Sequence, residues 1–294
     1  MSISQQRQGE LLILGEAVLW SFFPILTILT YQNISPLISL AGSIVFSAVF
    51  FAILMTIRQK WHEIGNISAL KDVFFVALFI GVLYYVFYFY GLKYTSAGNG
   101  GIIGRMEILF SYLFFNVWRK EFFSGRYIVG ALLVVGGAVI ILTRNFVSFH
   151  LGDFLVLIAT MCPPIGNYFQ RRARKKISSE TILFLRTVIS LAFILLLIFF
   201  FREPYSIGAL KNSLIFLVVS GVVLFGISKI MWLEGIHRIS VTKANALSSI
   251  APLFTLFIAW IFLGEVPVVW QFLSLIPMLV GVKLLTENTA NNQG

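Results

Sequence analysis

The chain has 294 residues, of which 59% are hydrophobic and 12% charged, and it carries a formal charge of +10. Soluble domains hold about 25% charged residues, so this composition excludes a water-soluble globule, while a disordered chain needs the opposite balance. The single cysteine, Cys162, permits neither an intrachain disulfide nor a thiolate metal cage.

A helix needs about 20 apolar residues to cross the hydrocarbon of a bilayer. Ten such stretches follow one another, here called spans 1 to 10: residues 11–31, 37–57, 73–92, 97–118, 127–143, 154–169, 182–201, 214–233, 241–263 and 268–285. Their continuous apolarity excludes transmembrane strands, which alternate every second residue. Span 1 follows only Arg7, is too long for a signal-peptide core and lacks a small-x-small cleavage site, so it reads as retained.

In span 1, Glu16 and Trp20 lie one turn apart, an acid above an aromatic face that suits a cation or a ring. Pro24 predicts a bend in the same span. Span 3 carries Tyr84, Tyr85 and Tyr88, whose hydroxyls need partners in a dry segment. In span 4, Gly100, Gly104, Glu107 and Ser111 share one face, with Arg105 on another side. Pro163 and Pro164 predict an interruption of span 6, and spans 7 and 8 carry Arg186 and Lys229. Both cations lie close enough to helix ends to snorkel to the surface, Arg186 about 7 Å in by helical rise. Span 9 sets Ala244, Ser248, Ala251 and Thr255 opposite the small-residue face of span 4, which predicts a polar cavity with Glu107 in its wall.

The loops on the side of the N-terminus collect 15 Lys and Arg, and those on the other side 4. By the positive-inside rule both termini are cytoplasmic. The basic excess is therefore topological, and the Arg171–Lys176 cluster fits orientation or contact with anionic membrane lipid, not nucleic acid.

A shift of 143–144 residues superposes Gly9 on Gly152, Gly91 on Gly235, Ser96 on Ser240, Phe110 on Phe254, Glu121 on Glu265 and Gly137 on Gly281. Each half holds five spans, an odd number, so the second half enters the membrane from the opposite side. The expected fold is an all-α membrane protein of ten transmembrane helices arranged as two inverted five-helix repeats, 1–143 and 152–294, joined by an extracytoplasmic connector at 144–151. Glu121 is then cytoplasmic and Glu265 extracytoplasmic. Inverted repeats are an architecture of secondary transporters, because two equivalent halves can exchange conformations around a midplane site.

Residues 245–265, with Pro252 inside the helix and Leu263-Gly264-Glu265 at its end, together with Leu19-Trp20-Ser21, resemble the EamA repeat of the drug/metabolite transporter superfamily. That resemblance implies a metabolite carrier whose central cavity is formed by spans 1, 3, 4, 6, 8 and 9. Members move amino acids, amines, nucleotide-like metabolites or toxic compounds, many of them outward. The chain departs from the pattern in span 4, where Ile108 stands opposite Pro252 beside Arg105 and Glu107. Those charges argue against a purely apolar drug.

An ionisable side chain inside the bilayer costs several kcal/mol unless paired or hydrated, and so marks a functional site. The candidate substrate-binding set is Glu107, Arg105, Glu16, Trp20, Tyr84, Tyr85, Tyr88, Lys229, Ser248 and Asn245. Arg105 fits either a substrate carboxylate or an acid on another helix. His62, His150 and His237 lie far apart, Asp72 and Asp153 are the only aspartates, and neither a His-Glu-x-x-His motif nor a phosphate loop occurs. No enzyme, metal or cofactor is expected. The expected function is secondary transport of a small polar metabolite, such as an amino acid or related zwitterion, in a bacterial inner membrane, with proton coupling through Glu107 or Glu16 as an option. Efflux of lipophilic cations is the alternative within transport, and a non-transporting receptor or assembly subunit the alternative outside it. Oligomeric state is not legible.

Overall fold

The structure, a computed structural model, describes residues 4–31, 33–117, 129–130, 132–137, 140 and 150–286. Part of span 5, Glu121 and most of the 144–151 connector lie outside the described residues. Among those described there are helices and turns and no strand. Six helical stretches are long and apolar enough to cross a membrane, and Val269–Leu284 is a shorter apolar helix.

Spans 2 and 7 are single helices, Pro36–Ile57 and Ser179–Phe201. Span 1 divides into Gln5–Trp20 and Phe23–Thr30 with Pro24 in the first turn of the second piece. Span 6 divides into Leu151–Ala159 and Cys162–Arg174, again with prolines in the new first turn. Proline tolerates that position because its missing N–H would be unpaired there anyway. Both interruptions follow the prolines read from the sequence.

Two further breaks were not foreseen. Span 4 divides into Ala97–Ile103 and Met106–Tyr112, and span 9 into Val241–Ser248 and Ala251–Leu263. In span 4 the ladder tightens, with Arg105 N donating to Ile102 O and Ile108 N to Arg105 O. Three-residue bonds of this kind overwind the chain locally. Spans 3 and 8 depart in the other sense: Ala77–Tyr84 and Ser220–Ile227 are wider π-helical stretches that recur at a spacing of 143 residues. The duplication therefore extends to the irregularities of the backbone.

The repeated glycines are contact points between the repeats. At Gly152 an added Cβ would lie 2.6 Å from Gly91 O and 2.5 Å from the Tyr94 carbonyl carbon, so spans 3 and 6 cross backbone against backbone. Gly9 and Gly235 bring spans 1 and 8 together in another way, by giving room to side chains: a Cβ on Gly235 would lie 2.5 Å from Ile13 Cδ1 and one on Gly9 3.0 Å from Ile239 Cγ2. Close approach of this kind replaces the side-chain interlock of ordinary helix pairs.

One end of the bundle is held by ions. Asp72 of span 3 takes Lys176 Nζ at 2.9 Å and Arg172 Nε at 3.4 Å. Glu234 takes Arg174 at 3.0 Å, and Arg58 pairs with Glu180. Glu63, in the short turn Trp61–Gly65, accepts from Ser178 N at 2.7 Å and Thr181 Oγ1 at 2.8 Å. The opposite end is closed by helix capping: Gly264 adopts a left-handed φ of 68°, and the Glu265 side chain accepts from Ala97 N at 3.2 Å and Gly98 N at 3.3 Å. A carboxylate there meets the positive end of the span 4 dipole.

Two outcomes follow from this packing. Gly152→Ala forces backbone atoms apart and should destabilise the purified protein by about 1–3 kcal/mol in thermal or chemical unfolding in detergent; an unchanged midpoint would remove the crossing from the stabilising contacts. Burial pushes the Glu63 carboxyl up, but hydrogen bonds from the Ser178 side chain and backbone, Thr181 and Lys60 outweigh it and bring it from 4.5 to about 2. Its contribution is then complete above about pH 4.5 and lost as pH falls toward 2. Wild type should exceed Glu63→Gln in stability by a constant margin at neutral pH, a margin that shrinks across that acid window.

Candidate functional site

The half-helix junctions of spans 1, 4, 6 and 9 and the π-helical stretch of span 3 converge on one cavity with 60 Å³ of free volume. That holds a few waters. A large ligand would require the helices to separate.

Every candidate read from the sequence except Tyr88 lines this cavity. Tyr88 is buried outside it and donates its hydroxyl to Gly100 O at 2.8 Å, so its polar group is spent on joining spans 3 and 4. Tyr84 and Tyr85 both line the cavity although adjacent in sequence.

Lys229 does not snorkel. Its Nζ lies 3.1 Å from Glu16 Oε1, and the ammonium sits 3.2 Å from the centre of the Trp20 ring. Ser228 Oγ also donates to Glu16 Oε1 at 3.4 Å. Trp20 stacks on Phe23 with ring centres 4.2 Å apart, and Tyr85 and Phe225 complete an aromatic cluster around it. The one-turn spacing of Glu16 and Trp20 is what brings both to the same lysine.

Among the described residues Arg105 pairs with no carboxylate, Glu107 included. Its Nη1 donates to Ser248 O at 3.0 Å and to Ser248 Oγ at 3.2 Å, tying the span 4 junction to that of span 9. Asn245 Nδ2 donates to Ser111 Oγ at 3.0 Å in a second tie between the same spans. The small-residue faces of spans 4 and 9 therefore meet through polar side chains.

Arg186 is the main addition. Its position early in span 7 suggested an escape to the surface, yet the residue is 4% exposed and lines the cavity. Gly81 gives room to Ser190, one turn further along span 7, with the Arg186 stem beside it in ordinary contact. Span 6 adds Asn167 and Gln170, and Asn167 accepts from Trp232 Nε1 at 3.1 Å. A long cation seven residues into an apolar helix gives no sequence cue that separates cavity from surface.

Among the described residues neither the Glu107 carboxylate nor the Arg186 guanidinium has a hydrogen-bond or ion-pair partner. Tyr85 Oη, Arg105 Nε and Gln170 Oε1 are buried there with no partner either. Orphaned polar atoms around one space are a sign of a ligand or water that satisfies them. The cavity holds three cations, Arg105, Arg186 and Lys229, against two carboxylates, Glu16 and Glu107. Such a set can take an ammonium at a carboxylate and a carboxylate at a guanidinium. Among the described residues no group of three His, Cys, Asp or Glu is placed to hold a metal ion.

Comparison with known proteins adds a family context. The model of the EamA-like transporter family matches residues 7–143 and again 150–286. An uncharacterized transporter of Haemophilus influenzae is 26% identical over 208 residues, covering 67% of this chain and 68% of that protein. The uncharacterized transporter YoaV of Bacillus subtilis is 19% identical over 257 residues, covering 86% and 88% of the two chains. A solved structure, titled only as the crystal structure of a protein, aligns over 97% of this chain and 99% of its own with a TM-score of 0.73 at 18% identity, which speaks to fold alone.

The Glu16–Lys229 pair yields a stability test. Removing one partner of a buried pair leaves an uncompensated charge and costs about 3–5 kcal/mol. Glu16→Gln and Lys229→Met should each lower stability by an amount of this order, whereas the double variant should recover most of the loss. Additive losses in the double-mutant cycle would mean that the pair does not couple.

Proposed function

The chain belongs to the EamA-like transporter family, and from that premise we propose that it is a secondary transporter for a small zwitterionic metabolite, an amino acid or a close relative, working by alternating access. The supporting observation is the juxtaposition in one cavity of Glu107 and Arg186, each without a partner among the described residues. A ligand bearing both an ammonium and a carboxylate satisfies both groups at once. A lipophilic cation satisfies only the first and adds to a set that already has one more cation than carboxylates.

The architecture suits the task. Broken helices from both repeats meet at the cavity, so rocking one repeat against the other opens it to alternate sides. Binding and release require no covalent step, and the chain acts as a carrier and not as an enzyme. Glu107 can also take a proton in competition with the substrate ammonium, which links transport to the proton gradient. We place both termini in the cytoplasm of a bacterial inner membrane, because the 15-to-4 loop asymmetry puts the basic, ion-paired end inside.

Purified protein in liposomes should accumulate labelled amino acids by counterflow. Glu107→Gln and Arg186→Met should each lower initial uptake by tenfold or more, on the order of the loss of one charged contact. Glu107→Gln should also remove any dependence on a pH gradient. Full uptake by both variants would overturn the assignment of the site, and absence of flux with any metabolite would favour a receptor.

A further inference from the structure

We propose that Lys229 is a tethered occupant of a cation seat built from Glu16 and Trp20, and that by filling this seat it excludes free organic cations from the cavity. The seat has the parts of an amine receptor. A carboxylate oxygen lies 3.1 Å from the ammonium and an indole ring centre lies 3.2 Å from it. Phe23 backs the indole at 4.2 Å, and Tyr85 and Phe225 flank it. An ammonium over a desolvated aromatic face beside a carboxylate is the arrangement that binds small amines and quaternary ammonium groups.

The occupant comes from a different element than the seat. Glu16 and Trp20 belong to span 1, and Lys229 reaches across from span 8 on its own stem. Side-chain exposures of 12% for Lys229 and 5% for Glu16 keep water from screening the charges. With Glu16 and the Trp20 face already taken by that ammonium, a free cation finds this seat filled, whereas a zwitterion can place its ammonium at Glu107 and its carboxylate at Arg186. The position equivalent to Lys229 in the first repeat is Tyr85, a neutral residue that also lines the cavity. Only one of the two related positions therefore carries the tether, and Lys229 becomes the residue that sets substrate charge. This consequence for selectivity rests on the transport reading above; the seat itself is a binding property that needs no flux.

The test is binding of n-propylammonium to the full-length protein in detergent, by calorimetry, with n-propanol as the neutral control. Lys229→Ala, which removes the tether, should bind the amine at least about tenfold more tightly than wild type, and n-propanol should bind neither. Lys229→Ser, which also empties the seat, serves the same measurement if the alanine variant does not fold without amine. Adding Trp20→Leu to either variant should abolish the gain. Equal affinity in wild type and variant, or a gain that survives loss of Trp20, would overturn the proposal. Failure here leaves amino-acid counterflow untouched, and failure of counterflow leaves a gain in amine affinity standing, so the two readings fall separately.

Discussion

Taking a charge out of water without a partner costs several kcal/mol, and the placement of most polar groups in this chain follows from that cost. At the basic end, Asp72, Glu180 and Glu234 consume lysines and arginines that a sequence tally treats as simple orientation signals. Inside the bundle, Glu16 and Lys229 consume each other, and Arg105 is spent on a backbone carbonyl and a hydroxyl of span 9. Subtracting these leaves Glu107 and Arg186. The site is what remains after the architecture has met its own electrostatic needs.

Much of this was legible in the residues, for physical reasons that differ from case to case. Continuous apolar runs set the spans because hydrocarbon thickness sets helix length. The offset glycines were read as signs of duplication, and the structure gives them a second meaning, since Gly91 meets Gly152 and Gly9 meets Gly235 across the repeat boundary. Pro24 and the pair Pro163-Pro164 announced their breaks through the loss of backbone donors. Glu107, Glu16 and Lys229 stood out because ionisable groups are rare in apolar helices.

What was not legible depended on neighbours. The break at Gly104–Arg105 has no proline, and the π-helical stretches of spans 3 and 8 carry no compositional mark. Arg186 has the sequence appearance of a snorkelling cation, and its burial against the cavity depends on how span 7 packs on distant spans. Tyr88 shares a helix face with Tyr84, yet the nearby Gly100 carbonyl claims its hydroxyl. Periodicity tells which residues share a face, and a partner on another helix decides what each does.

The glycine crossings carry a mechanical implication. Spans 3 and 6 bring backbone against backbone at Gly152, while Gly235 and Gly9 give room to the side chains of Ile13 and Ile239 from the opposite repeat. Both crossings join one repeat to the other, so a side chain added at any of these glycines pushes the repeats apart. Polar ties are concentrated elsewhere, in the Asp72 and Glu63 clusters at one end and the Glu265 cap at the other. The ends are thus held by charge and hydrogen bonds and the crossings by shape, so salt and pH act on the ends and leave the crossings unchanged.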